Sequence, residues 1–180
     1  MRILMEDAVA LVVDYQEKLV PAVLDGERLI NRTQRLLKGL CAMGVPVLIS
    51  EQYPKGLGST VEAIRNVAGE AEVVEKMTFS CADNEDFMAK LEAFGRKSVI
   101  ICGIEAHVCV LQTVIDLLAK GYNVVLVKDC ISSRFADDLE VALIRGQQEG
   151  AIISSSESIL FELTRRAGND VFKLVSKLVK

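Results

Sequence analysis

The chain has 180 residues, 51% of them hydrophobic, and a formal net charge of −4. That is long enough for one domain with a sizeable core, and no apolar run reaches the ~20 residues that span a bilayer. The acidic balance and the lack of a basic stripe argue against nucleic acid or an anionic membrane as the main partner. The opening Met1-Arg2-Ile3-Leu4-Met5-Glu6-Asp7 turns acidic at once, without the apolar core of a secretory leader. Five cysteines (41, 81, 102, 109 and 130) are odd in number and lack CxxC spacing. They read as reduced thiols in a cytoplasmic compartment and not as a disulfide framework.

Short β-branched runs alternate with helical patterns along the chain. Strands are expected at Ala8–Asp14, Pro46–Ser50, Glu72–Glu75, Ser98–Cys102, Asn123–Val127 and Ala151–Ser154. Between them, Glu27–Met43, Asn84–Phe94, Val108–Lys120 and Asp138–Glu149 carry apolar residues at three- and four-residue spacing. Gly44, Gly95, Gly121 and Gly150 stop these helices just before the next strand. The last ~25 residues read as one or two further helices. Runs such as Val9-Ala10-Leu11-Val12-Val13 are apolar on both faces, as in a parallel sheet covered by helices on both sides. The reading is a single domain over 1–180: a three-layer α/β/α, Rossmann-like, doubly wound fold with a six-stranded parallel sheet. The commonest strand order, 3-2-1-4-5-6, would set strands one and four side by side at the switch point where such folds bind ligands.

Three reactive side chains fall at the carboxyl ends of these strands. Asp14 closes the first strand, Lys76 follows the third, and Cys109 follows the fourth, in a segment that leads from strand to helix. In a parallel sheet all three project from one edge, so a nucleophile, a carboxylate and a cation converge on one cleft. The carboxylate can take the thiol proton and later return it to a leaving group. A thiol in the first turn of a helix also feels the positive end of the dipole and ionises more readily.

At these residues the chain resembles a known family. Val13-Asp14-Tyr15-Gln16, Glu75-Lys76-Met77-Thr78-Phe79-Ser80 and Gly103-Ile104-Glu105-Ala106-His107-Val108-Cys109-Val110 resemble the three signatures of the isochorismatase-like cysteine hydrolases. The likeness spans nearly the whole chain, past Asp129-Cys130-Ile131-Ser132-Ser133-Arg134, and is strongest to the isochorismatase-domain-containing branch. It implies that Cys109 attacks a carbonyl carbon, with Asp14 as general base and Lys76 completing the triad, through a thioester acyl-enzyme that water resolves. It also implies a cis peptide between Ile104 and Glu105, and an oxyanion site formed by the backbone N–H groups of Glu105 and Cys109. Members of this family commonly assemble into dimers or larger, so a homo-oligomer is expected.

Two departures narrow the reading. Nicotinamidases of the superfamily build a metal site from an Asp and a pair of His, whereas His107 is the only histidine here; no metal and no cofactor are expected. True isochorismatases generally lack the nucleophilic cysteine, so Cys109 favours acyl transfer over vinyl-ether hydrolysis. Gln16, Gln52, Tyr53, Phe79 and His107 are candidate pocket residues, although polar loop positions and local hydrogen bonding account for them equally well. Asp129 and Arg134 are expected to cap and pin a loop after strand five, and Cys102 and Cys130 to be structural. Gly56-Leu57-Gly58 lacks the third glycine and the strand-to-helix setting of a dinucleotide fingerprint, which weighs against a nucleotide binder. A phosphatase loop fails because Ile115, not Arg, stands six residues after Cys109. The expected function is therefore a cysteine hydrolase acting on a small carboxamide or related C–N acyl compound. The alternative is a catalytically silent domain of the same fold serving as an interaction or redox-sensing module.

Overall fold

A computed structural model describes residues 1–180. Six strands form one parallel sheet: β1 (Ala8–Val13), β2 (Val47–Gln52), β3 (Glu72–Lys76), β4 (Ser98–Ile104), β5 (Asn123–Ser132) and β6 (Ile152–Ser154). Their order is β3-β2-β1-β4-β5-β6, the doubly wound arrangement expected from the sequence. The helices are α1 (Gly26–Ala42), α2 (Pro54–Leu57), α3 (Glu62–Arg65), α4 (Glu85–Ala93), α5 (Leu111–Ala119), α6 (Ala136–Glu149), α7 (Ser156–Thr164) and α8 (Asp170–Leu178).

Alternate side chains of each strand point to opposite faces, which divides the core in two. Ala8, Ala10 and Val12 pack with Ile100, Cys102 and Val125 under α1, α7 and α8. Val9, Leu11 and Val13 pack with Val99, Ile101 and Leu126 under α4, α5 and α6. Every residue of β1 and β4 is buried, which is why their sequences show no polar alternation. No helix is long and apolar enough to cross a membrane.

Several element ends differ from the expected ones. β2 runs two residues further than the pattern suggests, so Glu51 and Gln52 belong to the strand and not to the loop after it. β5 continues through Lys128-Asp129 to Ser132. Its register against β4 jumps from Ile101↔Leu126 to Gly103↔Ile131, an irregularity that accommodates the polar residues. Asp129 thus lies inside β5, where its carboxylate accepts from the Ser156 N–H at 2.7 Å and the Ser156 hydroxyl at 2.6 Å, fastening the start of α7. Before α5, Ala106–Val110 forms a single wide turn in which the Val110 N–H reaches the Glu105 carbonyl at 3.3 Å. Cys109 therefore sits in a π-type turn and not in the first turn of a regular helix.

Four of the thiols, Cys81, Cys102, Cys109 and Cys130, are buried in this framework. Burial pushes Cys81 up to about 11 and Cys102 up to about 12, and raises Cys109 and Cys130 well above the ordinary thiol value of 9.0. The folded chain thus keeps protons that the unfolded chain releases above that pH. Stability from these groups is whole below pH 9.0 and is lost as pH rises through the folded-state values. Urea denaturation at pH 8 and pH 10 should show a lower unfolding free energy at the higher pH. Each thiol adds up to about 1.4 kcal/mol per pH unit.

Candidate active site

β1 and β4 lie side by side with Val13 opposite Gly103. A Cβ on Gly103 would stand 2.5 Å from the Val13 Cβ and 2.6 Å from its carbonyl oxygen. Only glycine permits this approach, which draws the segments carrying Asp14 and Cys109 together. Asp14 follows the last residue of β1 with φ of 55°, a left-handed conformation that aspartate tolerates better than most residues. Its side chain is fully buried.

The Asp14 carboxylate is the hub. Lys76, the last residue of β3, donates from Nζ to Asp14 Oδ2 at 2.8 Å, and Ser50 Oγ donates to Oδ1 at 2.7 Å. The Cys109 thiol lies close enough to the same carboxylate to feel its charge. Lys76 Nζ faces four acceptors, since it also reaches Gln52 Oε1 at 2.8 Å and the carbonyls of Thr78 and Phe79 at 3.2 and 3.1 Å. A fully buried ammonium with three protons is thus pinned in one orientation.

The electrostatics follow from burial. Desolvation raises the Asp14 carboxyl above its ordinary range, and the hydrogen-bonded Lys76 and Ser50 offset this only in part. Burial opposes the Lys76 charge, yet Asp14 and the thiols of Cys81 and Cys109 outweigh it and hold the ammonium above its usual value. Desolvation and the Asp14 charge together hold the Cys109 proton on sulfur. This reverses the ionisation expected from a helix terminus: the buried anion beside the thiol outweighs the weak field of the wide turn. The site thus brings a carboxyl group, an ammonium and a thiol together out of solvent.

The other expected residues divide by location. Gln16 is fully buried and commits its amide to backbone. It accepts from the Gln52 N–H at 2.7 Å and donates to the carbonyls of Gln52 and Gly58 at 2.9 and 2.6 Å. It clamps β2 to the segment that follows β1. Gln52 is also buried and serves Lys76. Tyr53 and Phe79, by contrast, are 47% and 54% exposed at the sheet edge. His107 Nδ1 pairs with Ser133 Oγ at 3.0 Å, and its Nε2 lies 3.7 Å from Asp138 Oδ2. The Ile104–Glu105 peptide is cis, where the resemblance implies it. Arg134 donates from its backbone N and from Nε to Glu105 Oε2, at 3.2 and 2.9 Å. Its role is thus to hold the Glu105 carboxylate and not only a loop after β5, while the Glu105 N–H makes no hydrogen bond within the protein. Nowhere are three His, Cys, Asp or Glu side chains grouped to hold a metal ion.

Three neighbours of the cluster were not singled out from the sequence. Ser50 is readable once β2 is placed beside β1, because it pairs with Val13. Thr113, four residues after Cys109, donates to the Cys109 carbonyl at 2.7 Å and accepts from the Cys81 N–H at 2.9 Å. Cys81 itself looks in sequence like any small core residue.

Residues 8–158 match the family model described as the isochorismatase domain. The chain belongs to the isochorismatase family. Isochorismatase domain-containing protein 1 of Salmo salar is 41% identical over 167 residues, covering 93% of this chain but only 59% of that relative's length. Among solved structures, the MAR1 ribonuclease of Caenorhabditis elegans superposes with a TM-score of 0.94 at 36% identity, covering 99% of this chain and 92% of that one. The YcaC proteins of Pseudomonas aeruginosa and Escherichia coli superpose at 0.94 and 0.93, each 25% identical, over 99% of this chain and 90% and 89% of theirs. The first carries covalent acrylamide, and the second is an octameric hydrolase of unknown specificity. This isochorismatase-family chain thus has the hydrolase fold of its relatives.

Proposed function

We propose that this isochorismatase-family chain is a cysteine hydrolase of small carboxamides or related C–N acyl compounds. The observation that carries the reading is the buried Asp14 carboxylate, hydrogen-bonded to Lys76 Nζ at 2.8 Å with the Cys109 thiol beside it. In the first half-reaction the Cys109 proton moves to Asp14 as sulfur attacks the carbonyl carbon, and the N–H groups of Glu105 and Cys109 receive the oxyanion. The tetrahedral species collapses to a thioester, the C–N bond breaks, and the Asp14 proton leaves with the amine. Water then attacks the thioester, giving one proton to Asp14, which returns it to sulfur as the acid departs. Lys76 keeps a positive charge beside whichever of the two groups is anionic.

Residues 1–180 act as one domain in this reading. Five free cysteines suit a reducing cytoplasm. The octameric neighbour supports a homo-oligomer, and the exposed Phe135, Val141 and Ile144 on and beside α6 offer it a face. A small molecule fits a thiol, a carboxylate and an ammonium converging on one buried point better than a polymer does. Because a structural neighbour is named a ribonuclease, RNA belongs in the test panel.

Intact-protein mass spectrometry after incubation with carboxamides, esters and RNA is the test. A trapped acyl group on Cys109 is the expected outcome. Cys109→Ala should take no acyl group from the same panel. No acyl adduct on the wild-type chain across the panel would overturn the reading in favour of a silent domain.

A further inference from the structure

Five thiols are present, but the sheet separates them. Cys102 and Cys130 belong to the core on the α1 side, and Cys41 packs against that same core. Only Cys81 and Cys109 share the core on the opposite side. They also share partners. Thr113 Oγ1 accepts from the Cys81 N–H at 2.9 Å and donates to the Cys109 carbonyl at 2.7 Å, so one hydroxyl bridges the two backbones. Both thiols lie close enough to Asp14 to feel its charge, and Ser50 Oγ donates to the Oδ1 of that carboxylate at 2.7 Å. Hydrolysis as derived above gives Cys81 no task, although a second sulfur at a nucleophile's flank has a chemistry of its own.

We propose that Cys81 is a resolving thiol for Cys109, making the active site a reversible oxidation site for hydroperoxides. The inference rests on Cys109 being the nucleophile. In the first step Asp14 takes the Cys109 proton and the thiolate attacks the terminal peroxide oxygen. The O–O bond breaks, sulfur becomes a sulfenic acid, and the Asp14 proton goes to the departing oxygen, giving water or an alcohol. In the second step Cys81 sulfur attacks the sulfenic sulfur, its proton passes to the departing hydroxide, and water leaves behind a Cys81–Cys109 disulfide. The peroxide is the oxidant for the whole two-electron change. The disulfide blocks the nucleophile until a cellular thiol reduces it, and it spares Cys109 from irreversible over-oxidation.

The test treats the reduced full-length protein with hydrogen peroxide, with and without dimedone, and then alkylates it under denaturing conditions for non-reducing peptide mass spectrometry. Wild type should show two fewer alkylated cysteines than the five of the reduced chain, and a linked peptide pair through 81 and 109. Dithiothreitol should restore all five. In Cys81→Ala the link should vanish and dimedone capture on Cys109 should rise several-fold; Cys81→Ser repeats the measurement with a side chain of near-native size. Equal dimedone capture in wild type and variants, or a link from Cys109 to Cys102, would overturn the inference while leaving Cys109 as nucleophile. A Cys109 that takes no dimedone in any of them, and no acyl group from the substrate panel, would overturn both readings.

Discussion

Replacing Cys109 with alanine should lower turnover by about 10⁴-fold or more, because the residues of such a triad act as a unit and the nucleophile has no substitute. The appropriate companion is Asp14→Asn. Asparagine tolerates the left-handed backbone at this position, so the variant keeps the turn, loses the ability to take a proton, and leaves Lys76 without its anionic partner. General-base catalysis is worth about 10² to 10⁴ in rate, and turnover should fall by that factor. The pH profile separates the two groups. Asp14 must be ionised to receive the thiol proton, and burial raises its carboxyl above the ordinary 3.8. Turnover in the native enzyme should therefore fail on the acid side at a pH above that value, and Asp14→Asn should lose this limb. An Asp14→Asn enzyme with native rates would remove Asp14 from the mechanism. Both variants need only steady-state kinetics on whichever compound gives the Cys109 adduct.

Lys76→Met should be the most damaging single change to stability. Lys76 and Asp14 have no exposed side-chain surface, so the substitution leaves a carboxylate buried with only Ser50 and a thiol as partners. Stranding one member of a buried ion pair costs about 3–5 kcal/mol, a large share of the stability of an ordinary domain. The loss should be greatest at neutral pH and should shrink on acidification. Without its ammonium the Asp14 carboxyl moves further up, and its protonated form fits the apolar surroundings. The double variant Asp14→Asn/Lys76→Met, which removes both charges, should recover most of the loss in chemical denaturation. A Lys76→Met protein as stable as wild type would mean that the pair is held apart in solution.

Much of the fold is legible in the sequence. Glycine stops and doubly apolar strands are local signals, and the usual winding order then places Asp14, Lys76 and Cys109 at one edge. What escaped depended on the surroundings of single residues. Lys128-Asp129 reads as a turn because nothing local shows that Ser156 will take the carboxylate. The hydrogen bonds of Gln16 and Gln52 could not be assigned from sequence, because a backbone clamp, a loop position and a substrate contact call for the same amide. The thiol's acidity came out opposite to expectation. A helix terminus can be inferred from a pattern, whereas depth of burial and the distance to an anion from another strand cannot. Cys81 stayed hidden for the same reason, since its meaning comes from Thr113 and from the face of the sheet it shares.

The three reactive groups are rooted in or beside the hydrogen-bonded ladder, on β1, β3 and the turn after β4. The exposed bulky side chains of Tyr53 and Phe79 belong to connecting segments beyond the strand ends. In the proposed hydrolase, chemistry would thereby be set on the ladder and selectivity on the connections. Connecting segments accept insertions and exchanges that a ladder does not. On that reading, a lineage built on this plan can change what it cleaves by rewriting its connections, while the floor on which the bond breaks is inherited intact.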